Sequence, residues 1–320
     1  MTFHRRTLLL AGAAALAAPA LRAQGAYPNR AIRVVVPFPP GSVGDSVPRF
    51  IATRLQASLG QPVVLENRPG AGGAIGAEAV ATAAPDGYTL LSHSVGLSTL
   101  PHIAKLSFDP LKLEPITQTI SGSYVLVVRP DFPASNLREF IAHVRKQPGR
   151  LNYGSHGSGS GVHLVMELLK SQAGLFIVHV PYRGAAPAMQ DLLAGRLDMA
   201  FDSTAGAMAM IRAGKLKPLA VGGLKPVPAL PGVATIAEQF PGFDTDGWQG
   251  LWAPPGTPRE IVARLNAEAV KAVNSPEFGK LMSDAGFVAT SSTPEQFGAL
   301  HKSQHEKWGR LIRERGIQPD

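Results

Sequence analysis

The sequence predicts an α/β fold in which short apolar strands alternate with amphipathic helices. Two observations lead to this prediction. Short runs of apolar and β-branched residues recur along the chain, and segments with apolar residues at helical spacing separate them. Gly, Pro, Asn and Asp cluster between the two kinds of segment, as expected for turns. The sequence shows no internal repeat, and its 320 residues are enough for one large or two medium domains.

The N-terminal segment, residues 1–23, has the composition of a secretory signal peptide. Two arginines precede an apolar stretch, small residues follow it, and no acidic residue occurs in the segment. The arginine pair resembles a twin-arginine (Tat) signal, but His4 stands where Ser or Thr is usual, so the Tat and Sec routes both remain open. Because the apolar stretch is short for a membrane anchor, we expect the segment to be cleaved off. The expected cleavage site is after Ala23, with Ala20 as the alternative. The expected location is the periplasm.

Charge and cysteine content exclude several classes of function. The formal net charge of +8 includes three arginines of the signal segment, so the mature chain keeps only a modest basic excess. Because Lys and Arg form no cluster, we expect no nucleic-acid partner. The chain has no cysteine, which excludes disulfides and thiolate chemistry. We expect no metal and no cofactor.

The first strand, loop and helix contain the first candidate binding loop. Ile32 to Val36 is a β-branched run, a Pro- and Gly-rich loop follows, and apolar residues at helical spacing lead to Gly60 at a C′ position. Asp45 is predicted to be the N-cap of this helix. The loop leads to a helix N-terminus, where unpaired N–H groups attract anions. The candidate ligand contacts in this loop are Phe38, Gly41, Ser42, Val43, Gly44 and Asp45.

The alternation continues along the chain. Further strands are predicted at residues 62–67, 88–91, 124–128, 151–153, 177–180, 199–201 and 219–221, with helices between most of them. The last part is predicted to be helical. Three of its helix starts, Thr257-Pro258, Ser275-Pro276 and Thr293-Pro294, place a cap before a proline at the first helical position, and the first and third also have a capping-box partner. Trp248 and Trp252, in an apolar stretch before them, are predicted to pack in the core or hinge, although either could line a pocket.

A second Gly/Ser loop, residues 154–161, repeats the strand, loop and helix arrangement. Such a loop offers N–H groups and hydroxyls to a carboxylate or a phosphate. Any one loop of this kind is more often an ordinary connection, but residues 181–187 form a third, and ligands of open α/β sheets bind outside the carboxyl ends of the strands. The candidate contacts in these later loops are Ser155, Gly157, Ser158, Gly159, Ser160, His163, Gly184, Ala185 and Asp202.

Motifs of common enzymes are missing, and we predict no catalytic residue. Neither Gly/Ser loop contains a nucleophile elbow, and the chain has no Gly-Lys-Ser/Thr phosphate loop. His156 and His163 could act as bases, but a histidine beside such a loop more often only bonds to it. His301 and His305 have the i, i+4 spacing of metal ligands, but no third ligand is evident nearby, so we interpret them as a solvated helix face.

Six stretches of the chain together resemble a known family. They are residues 32–38, 64–73, 85–91, 152–155, 179–184 and 253–258. In this order they resemble the tripartite tricarboxylate transporter receptor family, the Bug-type extracytoplasmic solute-binding proteins. The resemblance implies an α/β, two-lobed periplasmic binding protein of type II-like fold with a hinge between the lobes. Such a receptor is not an enzyme; it traps a small carboxylate and passes it to membrane permease subunits.

The same resemblance implies how the chain divides. We expect lobe one to comprise residues 24–122 and 223–320, and lobe two residues 123–222. The loops that match 38–45 and 155–160 face the ligand in that family, and a monomer is expected. A periplasmic receptor that serves a signalling system is the alternative function, and a small-acid hydrolase is a more distant one.

The first loop departs from the pattern of the family in a way that bears on the ligand. Where the family commonly has two glycines followed by a small residue, Thr and Asp, this chain has Gly41-Ser42-Val43-Gly44-Asp45. Val43 is predicted to narrow the pocket or make it more apolar, which suits an aromatic or short aliphatic carboxylate better than citrate. Asp45 either only caps its helix or also meets an amino group of the ligand. The Gly/Ser loops contain no cluster of Lys and Arg, which favours one or two carboxylates held by neutral donors.

Overall fold

The computed structural model describes residues 27–182 and 184–318 of the chain. The predicted signal peptide, residues 1–23, lies outside the described residues. Within them, two separate sheets form the centres of two lobes, and helices pack on both sheets, as the predicted α/β fold requires. No helix in the described part of the chain combines the length and the apolar character needed to cross a membrane.

Two sets of elements build the lobes. The strands are β1 (Ile32–Val36), β2 (Val63–Asn67), β3 (Thr89–Ser94), β4 (Glu114–Gly122), β5 (Tyr124–Val128), β6 (Asn152–Ser155), β7 (Val178–Pro181), β8 (Met199–Ser203), β9 (Lys217–Val221), β10 (Gly247–Ala253) and β11 (Val288–Ala289). The α-helices are α1 (Val43–Leu59), α2 (Ala74–Ala81), α3 (Gly96–Ile103), α4 (Leu137–Arg145), α5 (Gly161–Ala173), α6 (Ala185–Leu193), α7 (Thr204–Arg212), α8 (Arg259–Val273), α9 (Pro276–Asp284) and α10 (Pro294–Arg315). Short 3-10 helices occupy Ala71–Gly73, Pro110–Lys112 and Ile236–Glu238.

The first sheet has the strand order β11-β4-β10-β3-β1-β2. Strand β1 pairs in parallel with β2 and β3, whereas β10 runs antiparallel to β3 and β4. Side chains alternate between the faces of a strand, so Val34 and Val36 pack with Ile51 of α1, while Val35 packs with Val80 of α2. Burial on both faces explains why four of the five residues of β1, Ile32, Val34, Val35 and Val36, are β-branched.

The second sheet has the strand order β7-β6-β8-β5-β9. Strand β6 pairs in parallel with β7 and β8, and β5 runs antiparallel to β8 and β9. Helix α5 packs against this sheet. Its apolar stripe of Val162, Val165, Met166 and Leu169 is buried in the core of this lobe, which confirms the helix predicted after the second Gly/Ser loop.

The chain passes from the first sheet to the second at Ser123 and returns between Val221 and Gly247. Helix α10 then packs in the cores of both lobes. Its Phe297 lies beside Trp252 of β10, with ring centroids 4.6 Å apart, whereas Trp308 lies in the core around the second sheet. Because α10 contacts both cores, the bounds of the lobes, 24–122 with 223–320 and 123–222, remain a prediction.

The three predicted helix starts in the C-terminal part have different outcomes. Helix α9 begins after Ser275, whose hydroxyl accepts a hydrogen bond from Phe278 N at 3.3 Å, and α10 begins with the predicted capping box of Thr293. The start predicted at Thr257 is wrong by one residue. Pro258 is the N-cap of α8, and the Thr257 hydroxyl donates to Pro254 O instead of capping the helix.

The interpretation of His301 as part of a solvated helix face is wrong. The residue is only 3% exposed, and its ring lies 6.1 Å from the ring of Trp248 and 5.8 Å from that of Trp252. Burial lowers the pKa of His301 to about 4, so the ring is neutral at physiological pH. This face of α10 is buried because the helix packs against β10 and α3 instead of lying on the surface.

Candidate functional site

A cavity of about 310 Å³ opens between the two sheets. It is lined by Phe38, Pro39, Ser42, Gly44, Ser94, Val95, Ile120, Gly122, Tyr124, His156, Asp202, Ser203, Gly247, Trp248, Gln249 and Phe287. Several of these residues follow or end β1, β3, β6 and β8. The cavity therefore lies at the carboxyl ends of parallel strands, where ligands of open α/β sheets bind.

Asp45 holds the first candidate loop in place. The helix after this loop starts at Val43, with Ser42 as its N-cap, so the prediction that Asp45 is the N-cap is wrong. The Asp45 carboxylate instead accepts hydrogen bonds from Gly41 N at 3.0 Å and from Asn67 Nδ2 at 2.8 Å. Burial raises the pKa of Asp45, but hydrogen bonds from Asn67, Gly41 and Arg49 outweigh this effect and leave the pKa below its usual value.

Gly44 lets the loop fold over the ring of Phe38. A Cβ atom at Gly44 would collide with that ring, so the ring could not keep this position if residue 44 had a side chain. Gln249 of β10 fixes the same loop from the other side, since its Nε2 donates to Gly44 O and to Ser92 Oγ, each at 2.9 Å. The Phe38 ring also packs edge-on against His93, with centroids 5.6 Å apart. The aromatic wall of the cavity is thus held by neighbours on two strands, β3 and β10.

The charged side chains that line the cavity, among the described residues, are His156 and Asp202. His156 Nε2 lies 3.8 Å from Asp202 Oδ1, and Asp202 Oδ1 also accepts a hydrogen bond from Ser203 N at 2.7 Å. Burial raises the pKa of Asp202, and burial lowers the pKa of His156 although the nearby carboxylate opposes that shift. Burial also raises the pKa of Tyr124, to about 12, and so this lining residue is neutral at physiological pH.

The structure brings only some of the predicted contacts to this cavity. Phe38, Ser42, Gly44 and Asp202 line it. The predicted contacts that do not line it are Gly41, Asp45, Ser155, Gly157, Ser158, Gly159, Ser160, His163, Gly184 and Ala185. Val43 begins α1, but its side chain lies outside the described part of the structure. As ligand contacts, all of these residues remain predictions.

The second loop is built around a stack of two imidazole rings. His163 and His179 lie parallel, with ring centroids 3.9 Å apart, and His163 Nδ1 accepts a hydrogen bond from Gly159 N at 2.9 Å. Ser155 is fully buried, and its Oγ lies 2.6 Å from His179 Nε2. Ser160 is the N-cap residue of α5, but its hydroxyl makes no cap bond. In this structure the loop therefore uses Ser155 and His163 for internal contacts.

The sequence missed most of the cavity wall that lies outside the Gly/Ser loops. Tyr124, Trp248 and Gln249 come from strands on either side of the hinge crossings, Ser94 ends β3, and Val95 follows it. Of the two tryptophans that could line a pocket according to the sequence, Trp248 lines this one. Among the described residues, no group of three His, Asp or Glu side chains is placed to hold a metal ion.

Comparison with known proteins agrees with this fold. A profile described as tripartite tricarboxylate transporter family receptor matches residues 47–317. A protein encoded in the tcbD-tcbE intergenic region of Pseudomonas sp. is 40% identical over 319 residues, which cover 96% of this chain and 94% of that protein.

Two solved structures extend the comparison to proteins with bound ligands. An R. palustris protein solved with adipate is 32% identical, has a TM-score of 0.79 and covers 92% of this chain and 100% of its own. MatC from Rhodopseudomonas palustris, solved with bound malate, is 32% identical with a TM-score of 0.75, over 89% of this chain and 100% of its own. The profile match and the identity over nearly the whole chain show that this protein belongs to the tripartite tricarboxylate transporter receptor family of periplasmic solute-binding proteins, as the sequence predicts.

Proposed function

We propose that this receptor captures a mono- or dicarboxylate with an apolar or aromatic body and delivers it to the permease subunits of its transporter. The composition of the cavity wall is the observation that carries this proposal. Phe38, Trp248 and Phe287 supply aromatic surface, and Ile120 supplies aliphatic surface. The volume is at the lower end of the range of small-molecule sites, roughly 300 to 1,000 Å³, which favours a compact ligand.

The charges around the cavity favour few carboxylates. Among the described residues, no Lys or Arg lines it. A tricarboxylate such as citrate ordinarily needs fixed positive charge at close range. One or two carboxylates can instead be held by hydroxyls such as those of Ser42, Ser94 and Ser203 and by backbone N–H groups. The relatives solved with adipate and malate support this class, because both ligands are dicarboxylates.

A thermal-shift screen tests the proposed class. The panel contains adipate, malate, benzoate, nicotinate and citrate, each added to the purified mature chain. A ligand at a hundred times its dissociation constant stabilises the fold by about 2.7 kcal/mol, which raises the melting midpoint by several degrees. We expect a rise with at least one of the first four acids and none with citrate. A rise with citrate while the other four leave the midpoint unchanged would refute the proposed class.

We further propose that the ligand draws the two lobes together, with lobe one formed by residues 24–122 and 223–320 and lobe two by residues 123–222. The lining of the cavity by residues of both sheets supports this step, because a ligand that contacts both lobes binds the closed state more tightly. Small-angle X-ray scattering should give a smaller radius of gyration with the bound acid than without it. The forward scattering should give the mass of a monomer, and an unchanged radius contradicts closure.

A further inference from the structure

We propose that His156 makes ligand capture proton-coupled: its ring takes up a proton as a ligand carboxylate enters the cavity and then donates a charged hydrogen bond to that carboxylate. Asp202, which lines the cavity beside His156, acts on the ring through charge. This inference rests on the proposed function, because it requires that the ligand carries a carboxylate. It makes His156 a determinant of specificity for anions in a cavity whose lining, among the described residues, contains no Lys or Arg.

The geometry brings His156 and Asp202 to one wall of the cavity. Strands β6 and β8 are parallel neighbours, and each delivers one member of the pair at its carboxyl end. The distance of 3.8 Å between Nε2 and Oδ1 is too long for a hydrogen bond, so the two groups interact through charge without locking the ring. About a quarter of the His156 side chain, 27%, is exposed, and this part of the ring is accessible to a ligand.

Few other titratable groups act on this pair. Tyr124 of β5 lies near Asp202 and stays neutral, since its pKa is raised to about 12. Asp246, in the segment before β10, acts on Tyr124 and is held by the hydroxyl of Ser123. Lys307 of α10 lies near Asp246 and not at the cavity wall. The charge at the wall is therefore set by His156 and Asp202.

In the free protein His156 supplies no positive charge at neutral pH to meet a ligand carboxylate. Burial lowers the pKa of His156 even though the Asp202 carboxylate favours its charged form, so the ring is mainly neutral. A ligand carboxylate that enters beside Asp202 places negative charge next to the ring, and nearby negative charge raises the pKa of a histidine. The ligand and the proton therefore bind together, and the charged ring offsets the negative charge of the ligand carboxylate.

The sign of the pH dependence follows from this coupling. The pKa of His156 is higher in the complex than in the free protein, so lower pH favours the complex. Between these two pKa values, uptake of one proton changes the dissociation constant by about tenfold per pH unit. Below the lowered pKa of the free ring, His156 is already protonated before the ligand binds, so the dissociation constant no longer changes with pH.

Isothermal titration calorimetry tests the inference directly. Adipate, or benzoate if adipate gives no heat, is titrated into the mature chain between pH 8 and pH 6.5, in two buffers with different enthalpies of ionisation. The difference in heat between the buffers gives the number of protons taken up, and we expect a value near one in the window where affinity rises as pH falls. The variant H156Q keeps a neutral donor but cannot be charged, and we expect it to lose most of the proton uptake and the gain in affinity at pH 6.5.

Two further variants separate the roles of the residues. Asp202→Asn removes an acidic group beside the ligand carboxylate, so adipate should bind more tightly than to the wild type at pH 8 and with a flatter pH profile. The matched control is His143→Gln, a histidine of α4 that does not line the cavity and packs against Phe132, and it should leave the proton uptake unchanged.

Each outcome either supports or overturns the inference. An acid that binds with no proton uptake and a constant dissociation constant overturns it while the proposed function stands. Full proton uptake in the H156Q variant also overturns it, because the proton then goes elsewhere. If neither acid binds at any pH, the inference fails, and the proposed function fails with it only if malate and nicotinate do not bind either. Circular dichroism of each variant checks the fold, and the wild-type measurement does not depend on any variant.

Discussion

Replacing Asp45 by Ala should loosen the binding loop and lower the stability of the first lobe. The carboxylate is 3% exposed and accepts hydrogen bonds from Gly41 N and Asn67 Nδ2. Asn67 Nδ2 keeps Phe38 O as a second acceptor, and Gly41 is exposed, so water can take the place of the carboxylate as the acceptor for Gly41 N. Arg49 is 55% exposed, and an ion pair of that kind contributes at most about 1 kcal/mol.

These contacts set the expected magnitude. Removal of a buried acceptor costs about 1 to 3 kcal/mol of stability. With partial compensation, Asp45→Ala should lower the free energy of unfolding by about 2 kcal/mol. The corresponding fall in the melting midpoint is about 4 °C for a protein of this size. Asp45→Asn should cost nearly as much, because its amide places a donor where the loop already presents donors. Urea denaturation of the purified variants gives the free energies of unfolding.

The control is Asp131→Ala, which removes an exposed acid of the second lobe paired with Arg129 and should change stability by less than about 0.5 kcal/mol. The pH profile gives a second check. Because the pKa of Asp45 is lowered in the folded state, its contribution is fully present above the unfolded pKa of about 4 and is lost as pH falls through the folded value. If Asp45→Ala costs no more than the control at pH 7, the carboxylate does not hold the loop.

Three further substitutions test separate contacts. Gln249→Ala removes the bridge to Gly44 O and should lower the free energy of unfolding by about 1 to 2 kcal/mol in urea. Ser155→Ala removes the hydroxyl that bonds to the His179 ring and should cost stability by about 1 to 3 kcal/mol; calorimetry that finds this loss in adipate affinity instead would place Ser155 in the binding site. Trp308→Ala should cost about 3 to 5 kcal/mol by opening a cavity in the second core, and a loss below about 1 kcal/mol would contradict the packing of α10.

Patterns confined to one segment were predicted well. The β-branched run of β1 and the stripe of α5 are both found where the sequence placed them, and Gly60 ends α1 in a left-handed conformation. Each of these signals depends only on neighbours within one or two turns. The N-cap of α1 was predicted at the wrong residue because Asp45 has the chemistry of a cap, whereas its carboxylate bonds to Asn67 at the end of β2, a contact that no local pattern shows.

Strands whose residue types depend on contacts with distant segments were not predicted from the sequence. Strand β4 has no apolar run because Thr117, Gln118 and Thr119 are buried there and bond to other segments. Strand β10 contains Gly250, where a side chain would collide with the ring of Phe297 on α10. Neither requirement is visible in a local window of sequence.

The residues of the cavity also depend on contacts that a local window of sequence does not show. The pairing of His156 with Asp202 arises because β6 and β8 are neighbours in the sheet although 46 residues separate the two side chains in sequence. The sequence placed Asp202 among the candidates but could not show which histidine faces it. Likewise, Ser155 has the composition of a ligand contact, and only the position of His179 shows that its hydroxyl has an internal partner.

The packing of α10 in both cores has a consequence for the way this protein acquires its structure. The strands of the second sheet lie between residues 124 and 221, yet Trp308, Leu311 and Ile312 complete the core around them. That core stays open during synthesis until α10 has left the ribosome. Neither lobe can then melt without exposing apolar surface of the other, so the two should unfold in a single cooperative transition.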